Sequence, residues 1–158
     1  MHQFSSKEGY KAFDDALPTL ERLEASKIFT AAVSNSDSRM HAVLQSLSFP
    51  LTLSPVLLSE EEGIEKPDKE IFLRSLARVN DAQRSKHGKT DWEDIAPHEC
   101  LHVGDDVIGD YRGAQNAGFR ALLLLRKDDE GQTHPPTDED LVGVRTIGGL
   151  EEVLRHVR

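Results

Sequence analysis

Short apolar runs bounded by turn residues recur along this chain, and each is followed by residues whose apolar members fall at helical spacing. IFTAAV (28–33) is β-branched and apolar, and precedes Met40, Val43, Leu44 and Leu47, an i, i+3, i+4, i+7 stripe within 37–47. LTLSPVLLS (51–59) precedes a pattern from about Pro67 to Asn80 with Ile71, Phe72, Ser75, Leu76 and Val79 on one face. ECLHVG (99–104) leads to a short helical stretch from about Asp110 to Ala117, and RALLLLR (120–126) leads, through VRTI, to Leu150, Val153, Leu154 and Val157. Strands that alternate with helices cannot be joined by hairpins. They predict an α/β fold, a Rossmann-like parallel sheet with helices on both faces.

Ahead of this series, KAFDDALPTLERLEAS (11–26) carries Phe13, Leu17, Leu20 and Leu23 at helical spacing. Pro18 fits best in a first turn, which puts the helix start near Asp14 or Asp15. Pro55 demotes the 51–59 strand toward a sheet edge. Two stretches break the alternation, 81–97 and 127–140, both polar and without periodicity, and both read as long solvent loops. Trp92 is expected to anchor the first of them. A chain of 158 residues is then one domain, 1–158.

The composition excludes several classes of partner. A net charge of −9 with no Lys/Arg cluster argues against nucleic acid. The longest apolar run, ALLLL at 121–125, is too short to span a bilayer, and MHQFSSKEGY lacks a basic-then-apolar leader pattern. A single cysteine, Cys100, reads as a packing residue, and a reducing, cytoplasmic setting is the default expectation.

In an open parallel sheet, ligands collect beyond the carboxyl ends of the strands. The first strand ends in Ser34 and Asn35; the LHVG strand ends in Asp105 and Asp106, with Asp110 about one turn later. Lys66 opens a helix that can reach the same edge. A hydroxyl, an ammonium and paired carboxylates at one rim can bind a phosphate and Mg²⁺ together, since Mg²⁺ takes one or two carboxylates and keeps water or phosphate for the rest. Taken singly, these residues have ordinary readings. Ser34 suits a helix entry, Lys66 a solvated surface, and Asp106 and Asp110 the start of a helix, where the macrodipole favours acids. Two decoys fall away. Gly104 to Gly109 is followed by Asp-Tyr and is no P-loop, and Asp138-Glu139-Asp140-Leu141-Val142 follows THPPT, with no buried strand before it. A receiver domain would need its acidic pair before the hydroxyl and the lysine.

SNSD (34–37), EKPDKEIF (65–72) and HVGDDVIGDYRGAQNAGF (102–119) resemble the second, third and fourth motifs of the haloacid dehalogenase-like hydrolase superfamily, in its order and near its spacings. The opening YKAFDDALPTLERL and the HVGD phrase are most similar to the branch called haloacid dehalogenase-like hydrolase domain-containing protein 3. The resemblance implies that Ser34 and the backbone N–H of Asn35 bind a phosphoryl group and that Lys66 offsets its charge, making Ser34 and Lys66 the catalytic candidates. It implies that Asp105 binds Mg²⁺ directly, with Asp106 or Asp110 in support, and that the substrate is a small phosphorylated metabolite.

The same resemblance implies a first motif, Asp-x-Asp followed by Thr or Val, whose first aspartate attacks phosphorus and whose second serves as acid and base. No such motif precedes Ser34; residues 1–27 hold only Asp14-Asp15, inside a helical pattern. In the family, the strand bearing that motif lies between those ending in Ser34 and Asp105. The chain therefore reads like the C-terminal portion of a larger enzyme, a core without its central strand. Its catalysis is expected to be impaired, the alternative being an inactive phosphate-, Mg²⁺- or partner-binding module. The two flanking strands are expected either to keep an unpaired inner edge or to pair directly, and self-association through the incomplete sheet is a further expectation.

Overall fold

A computed structural model of the protein describes residues 9–88, 90–127 and 135–157. Helix α1 (Ala16–Ala25) begins beside Asp15, with Pro18 in its first turn as the sequence demands. Strand β1 (Thr30–Ser34), helix α2 (Arg39–Ser46), strand β2 (Leu53–Leu58) and the single-turn helix α3 (Ser59–Glu62) come next. Helix α4 (Lys69–His87) is capped by the Asp68 carboxylate, which accepts from the Glu70 N–H. A 3₁₀ turn (Pro97–Glu99), strand β3 (Leu101–Gly104), a π-helical turn (Val107–Arg112), helix α5 (Gly113–Asn116), strand β4 (Arg120–Leu124), strand β5 (Thr146–Ile147) and a 3₁₀ helix (Leu150–Arg155) complete the order.

Among the described residues every strand pairing is parallel: β1 with β2, β3 with β4, and β4 with β5. The sheet is nevertheless divided in two, with order β1-β2 on one side and β3-β4-β5 on the other. β1 and β3 are not hydrogen-bonded to each other, so of the two outcomes expected for these flanking strands, the unpaired inner edge is the one realised. β2 forms the outer edge of its pair, where Pro55 costs no ladder bond on the solvent side.

Alternation along β4 defines two apolar layers. Ala121 and Leu123 join Leu57, Ile71, Phe72, Tyr111 and Ala114 in the larger one, under α4 and α5. Leu122 joins Ile147 and Val153 in the smaller one, under the 3₁₀ helix and on the side of α1. β4 is buried at Ala121, Leu122 and Leu123, whereas no residue of β1 or β3 is fully buried. In a parallel sheet covered on both faces, inner strands are ordinarily the most buried. Here they are not, because each has an open flank.

Three expectations need correcting. The stretch 81–97 is not all loop, since α4 continues through His87. The segment beyond that helix is pinned: the Asn80 amide donates to the Ile95 carbonyl (3.0 Å) and accepts from the Ile95 N–H (2.9 Å). Arg84 bridges Asp81 and Asp94, and Trp92 stacks on His87 and meets Phe29 edge-on, the anchoring role expected of it. Ion pairs and tertiary anchors hold these last two turns of the helix, and neither produces an apolar period. Secondly, only part of the apolar stripe at 13–23 is buried: Leu23 is, together with Ala16 and Thr19, whereas Leu17 and Leu20 are half-buried, Leu20 bordering the gap between the half-sheets, and Phe13 is exposed beneath the Arg126 guanidinium. Thirdly, the terminal amphipathic stretch winds as a 3₁₀ helix and buries only Val153 fully. Of the expected loop 127–140, residues 128–134 lie outside the described residues.

A polar rim at the carboxyl ends of β1 and β3

The carboxyl ends of β1 and β3 meet at one rim, and the chain of contacts that joins them starts at Asn35. Its side chain clamps the Lys66 backbone, accepting from the Lys66 N–H (2.8 Å) and donating to the Lys66 carbonyl (3.0 Å). The sequence offered the Asn35 backbone N–H as a phosphate donor; its side chain has the separate task of fixing where Lys66 enters the rim. From there the Lys66 ammonium donates to Asp110 Oδ1 at 2.6 Å. Ser34 stands at the end of β1, its Oγ accepting from the Ser36 hydroxyl at 3.0 Å.

Asp110 is the organising group. Its side chain is 5% exposed, against 14% for Lys66. Besides Lys66, Oδ1 lies 2.8 Å from His102 Nε2, and Oδ2 accepts from the Asp106 N–H at 3.1 Å. Burial opposes ionisation of this carboxyl, but the His102 hydrogen bond and the Lys66 charge outweigh it and hold Asp110 well below the usual carboxylate range. The π-helical turn puts it there: the Asp110 and Tyr111 N–H groups both donate to the Asp106 carbonyl, widening the turn by one residue. Gly104 allows the approach, since a Cβ at that position would fall 2.6 Å from Asp110 Cβ and closer still to its Cγ and Oδ2.

The other two aspartates differ. Asp106 caps the turn, its Oδ1 accepting from the Gly109 N–H. Asp105 is exposed and stands where the gap between the half-sheets opens onto the rim. The structure thus brings Ser34, Asn35, Lys66, Asp105, Asp106 and Asp110 to one edge, but gives the three aspartates three surroundings. Among the described residues no three His, Cys, Asp or Glu side chains stand close enough to form a metal cluster. A hard cation would find two exposed carboxylates, Asp105 and the turn-capping Asp106, and would take its remaining oxygens from water and phosphate, a donor set that suits Mg²⁺.

Sequence reading assigns no role to His102. Its position two residues before Gly104 places it on the same face of β3 as that glycine, the face Asp110 approaches, and its ring meets Phe72 edge-on at 5.0 Å. The alternation of β3 carries that signal. The sequence likewise marks Asp15 only as a helix start. Its carboxylate ties α1 to Arg126 (2.7 Å) and to the Leu150 N–H (2.7 Å).

Comparison with known proteins places this geometry. The profile of the haloacid dehalogenase-like hydrolases matches residues 2–118. Haloacid dehalogenase-like hydrolase domain-containing protein 3 of Danio rerio is 29% identical over 133 residues, covering 84% of this chain and 49% of its own. The glyceraldehyde 3-phosphate phosphatase of Methanopyrus kandleri is 27% identical over 132 residues, covering 83% and 50%. The chain therefore spans about half the length of these curated relatives. Among solved structures, the magnesium-bound HAD-hydrolase YfnB of Bacillus subtilis aligns with 96% of this chain and 58% of its own at a TM-score of 0.70 and 21% identity, which shows a shared fold. The matched profile covers both rim-forming strands and the whole Lys66–Asp110 network, and the chain belongs to the haloacid dehalogenase-like hydrolases.

Proposed function

We propose that the rim is the phosphate- and magnesium-binding part of a phosphomonoester hydrolase site, and that this chain by itself lacks the group that attacks phosphorus. The observation that carries the reading is the buried Lys66–Asp110 pair, held by Asn35 beside Ser34 and the exposed Asp105. In this reading the Ser34 hydroxyl and the Asn35 N–H hold phosphoryl oxygens, and the Lys66 ammonium lowers the cost of gathering negative charge there. Asp105 is the magnesium ligand; Asp110 orients Lys66 and, through the Asp106 N–H, the loop that carries Asp105. Bound magnesium supplies charge neutralisation at the phosphoryl oxygens. The magnesium-bound structural neighbour and the phosphatase among the relatives support the choice of cation and substrate class.

No Asp-x-Asp precedes Ser34 in this chain, and the groups that remain bind and polarise without forming a covalent bond to phosphorus. A second reading, a non-catalytic module that binds phosphate, Mg²⁺ or a partner, is favoured by the open gap between the half-sheets beside the rim.

The test is Mg²⁺-dependent hydrolysis of an aryl phosphate by the purified chain, with Asp105→Asn in parallel and Mg²⁺ and phosphate binding followed by calorimetry. The expected result is negligible turnover, with binding that weakens in Asp105→Asn. Turnover lost in that variant would mean that another carboxylate acts as nucleophile, and the assignment of a missing group would be wrong. Failure of the folded chain to bind either ion would remove the site altogether.

A further inference from the structure

Strand β1 runs out into SNSD (34–37), of which the proposed phosphate site uses only Ser34 and Asn35. Ser36 has a defined place that those roles leave unexplained. Residues two apart along extended backbone share a side, and Ser36 keeps that alternation one step past the end of β1. Its Oγ stands 3.0 Å from Ser34 Oγ, while the Asn35 side chain between them turns to the Lys66 backbone. The single-turn helix α3 braces this loop. The Ser36 carbonyl accepts from the Glu60 N–H (3.3 Å) and the Ser59 hydroxyl (3.4 Å), and Glu60 Oε2 accepts from the Ser38 N–H (3.0 Å). Ser36 is thus held at its own carbonyl and two residues further on, and its hydroxyl is presented to Ser34 by the fold itself.

The proton inventory of the pair gives it a direction. A hydroxyl has one proton to donate and two lone pairs to offer. Among the described residues, each of these two hydroxyls has the other as its hydrogen-bond partner and no third. With phosphate bound, Ser34 directs its only proton to a phosphoryl oxygen and has none left for Ser36. The proton between the two serine oxygens therefore comes from Ser36. A hydroxyl that accepts a hydrogen bond is also polarised into a better donor of its own proton.

We propose that Ser36 is a positioning residue of the phosphate site: its hydroxyl donates to Ser34 Oγ and so points the Ser34 proton at the bound phosphoryl oxygen. The result is a relay of two hydroxyls ending on the anion, with α3 as its brace. Ser36 acts through Ser34 and does not touch the phosphate. The inference rests on the reading of Ser34 as a phosphate ligand. It gives the acidic turn at 59–62 a task that its charge alone would not suggest, since its backbone N–H, its hydroxyl and one of its carboxylates all serve to hold residues 36–38.

The test is calorimetric titration with inorganic phosphate in the presence of Mg²⁺. It compares the purified chain with Ser36→Ala, Ser36→Thr, Ser34→Ala and the double variant Ser34→Ala/Ser36→Ala, each shown to be folded by its thermal melt. One ordinary hydrogen bond is at stake, so Ser36→Ala should bind phosphate about three- to tenfold more weakly. Ser36→Thr keeps the hydroxyl and should bind within about twofold of the unaltered chain. In the Ser34→Ala background, Ser36→Ala should have no further effect, because the relay then has no second hydroxyl. Phosphate affinity unchanged in Ser36→Ala would overturn the proposal. So would a loss that threonine does not restore, which would mean a loosened loop, or a loss that persists without the Ser34 hydroxyl, which would mean that Ser36 touches the anion itself. All three of those results leave the phosphate site standing. Failure of the unaltered chain to bind phosphate, or a Ser34→Ala variant that binds it as well as the unaltered chain, would overturn the relay together with the reading of Ser34.

Discussion

Replacing Gly104 with alanine tests the rim at its tightest point. The new methyl would sit 2.6 Å from Asp110 Cβ and closer still to Cγ and Oδ2, about 1 Å or more inside ordinary contact. Asp110 cannot swing away cheaply, because its carboxylate is held by Lys66 at 2.6 Å, His102 at 2.8 Å and the Asp106 N–H at 3.1 Å. Overpacking alone costs about 1–3 kcal/mol. Prising a nearly buried carboxylate from its cation adds to this, so the expected loss is about 2–4 kcal/mol. With a urea slope of about 2 kcal/mol per molar, the midpoint falls by roughly 1–2 M with the slope unchanged. The control is a cycle with Asp110→Gly, which removes the Cβ, Cγ and Oδ2 that the methyl would meet. The two substitutions should be strongly non-additive, the double variant being little worse than Asp110→Gly alone. A Gly104→Ala variant destabilised by less than about 0.5 kcal/mol, or a cycle additive within that margin, would refute the close approach as the reason for glycine.

Two further perturbations probe other charges and the lone thiol. Glu62 pairs with Arg74 (3.0 Å) and Arg78 (2.6 Å); burial opposes its ionisation, but the two arginines prevail and its carboxyl lies below the usual range. A depressed folded-state value stabilises above the ordinary carboxylate range and loses that stabilisation as pH falls through the folded value, so the melting-temperature gap between the protein and Glu62→Gln should be full near pH 7 and shrink below about pH 4. A gap independent of pH would show the pairs to be energetically silent. Burial, helped by the Glu99 charge, pushes the Cys100 thiol up to about 11. Its alkylation by iodoacetamide near pH 8 should be about 100-fold slower than that of a free thiol and should recover in urea, and rapid native-state reaction would contradict the burial.

The alternation of elements and the parallel direction of the pairings were legible in the apolar runs followed by helical stripes, because burial of a parallel sheet on both faces leaves that trace directly. The division of the sheet was legible by subtraction, from a motif that the order of the others demanded. The end of α4 was not, since Asn80, Arg84 and Trp92 hold it through contacts across a loop that no period encodes. Nor was the incomplete burial of Leu20: an apolar stripe says that a residue belongs against an apolar surface, and here that surface borders an open gap.

Three aspartates within six positions suggest a metal cluster, and the structure instead divides the labour among them. Asp105 is open to solvent, Asp106, also exposed, caps a turn, and Asp110 is nearly buried and neutralises the partly buried Lys66 ammonium. Spacing brings carboxylates to one edge but says nothing about which already have partners, and a carboxylate held by Lys66 and His102 is a poor competitor for a cation. The division has a structural corollary. Backbone pairing does not cross the gap between β1 and β3, whereas the Asn35–Lys66–Asp110–Asp106 chain does, tying one half-sheet to the other at the carboxyl end. In most parallel sheets the site rests on a rim that the strands have already built. Here the site residues help build the rim, so a substitution in them should lower stability as well as ligand affinity.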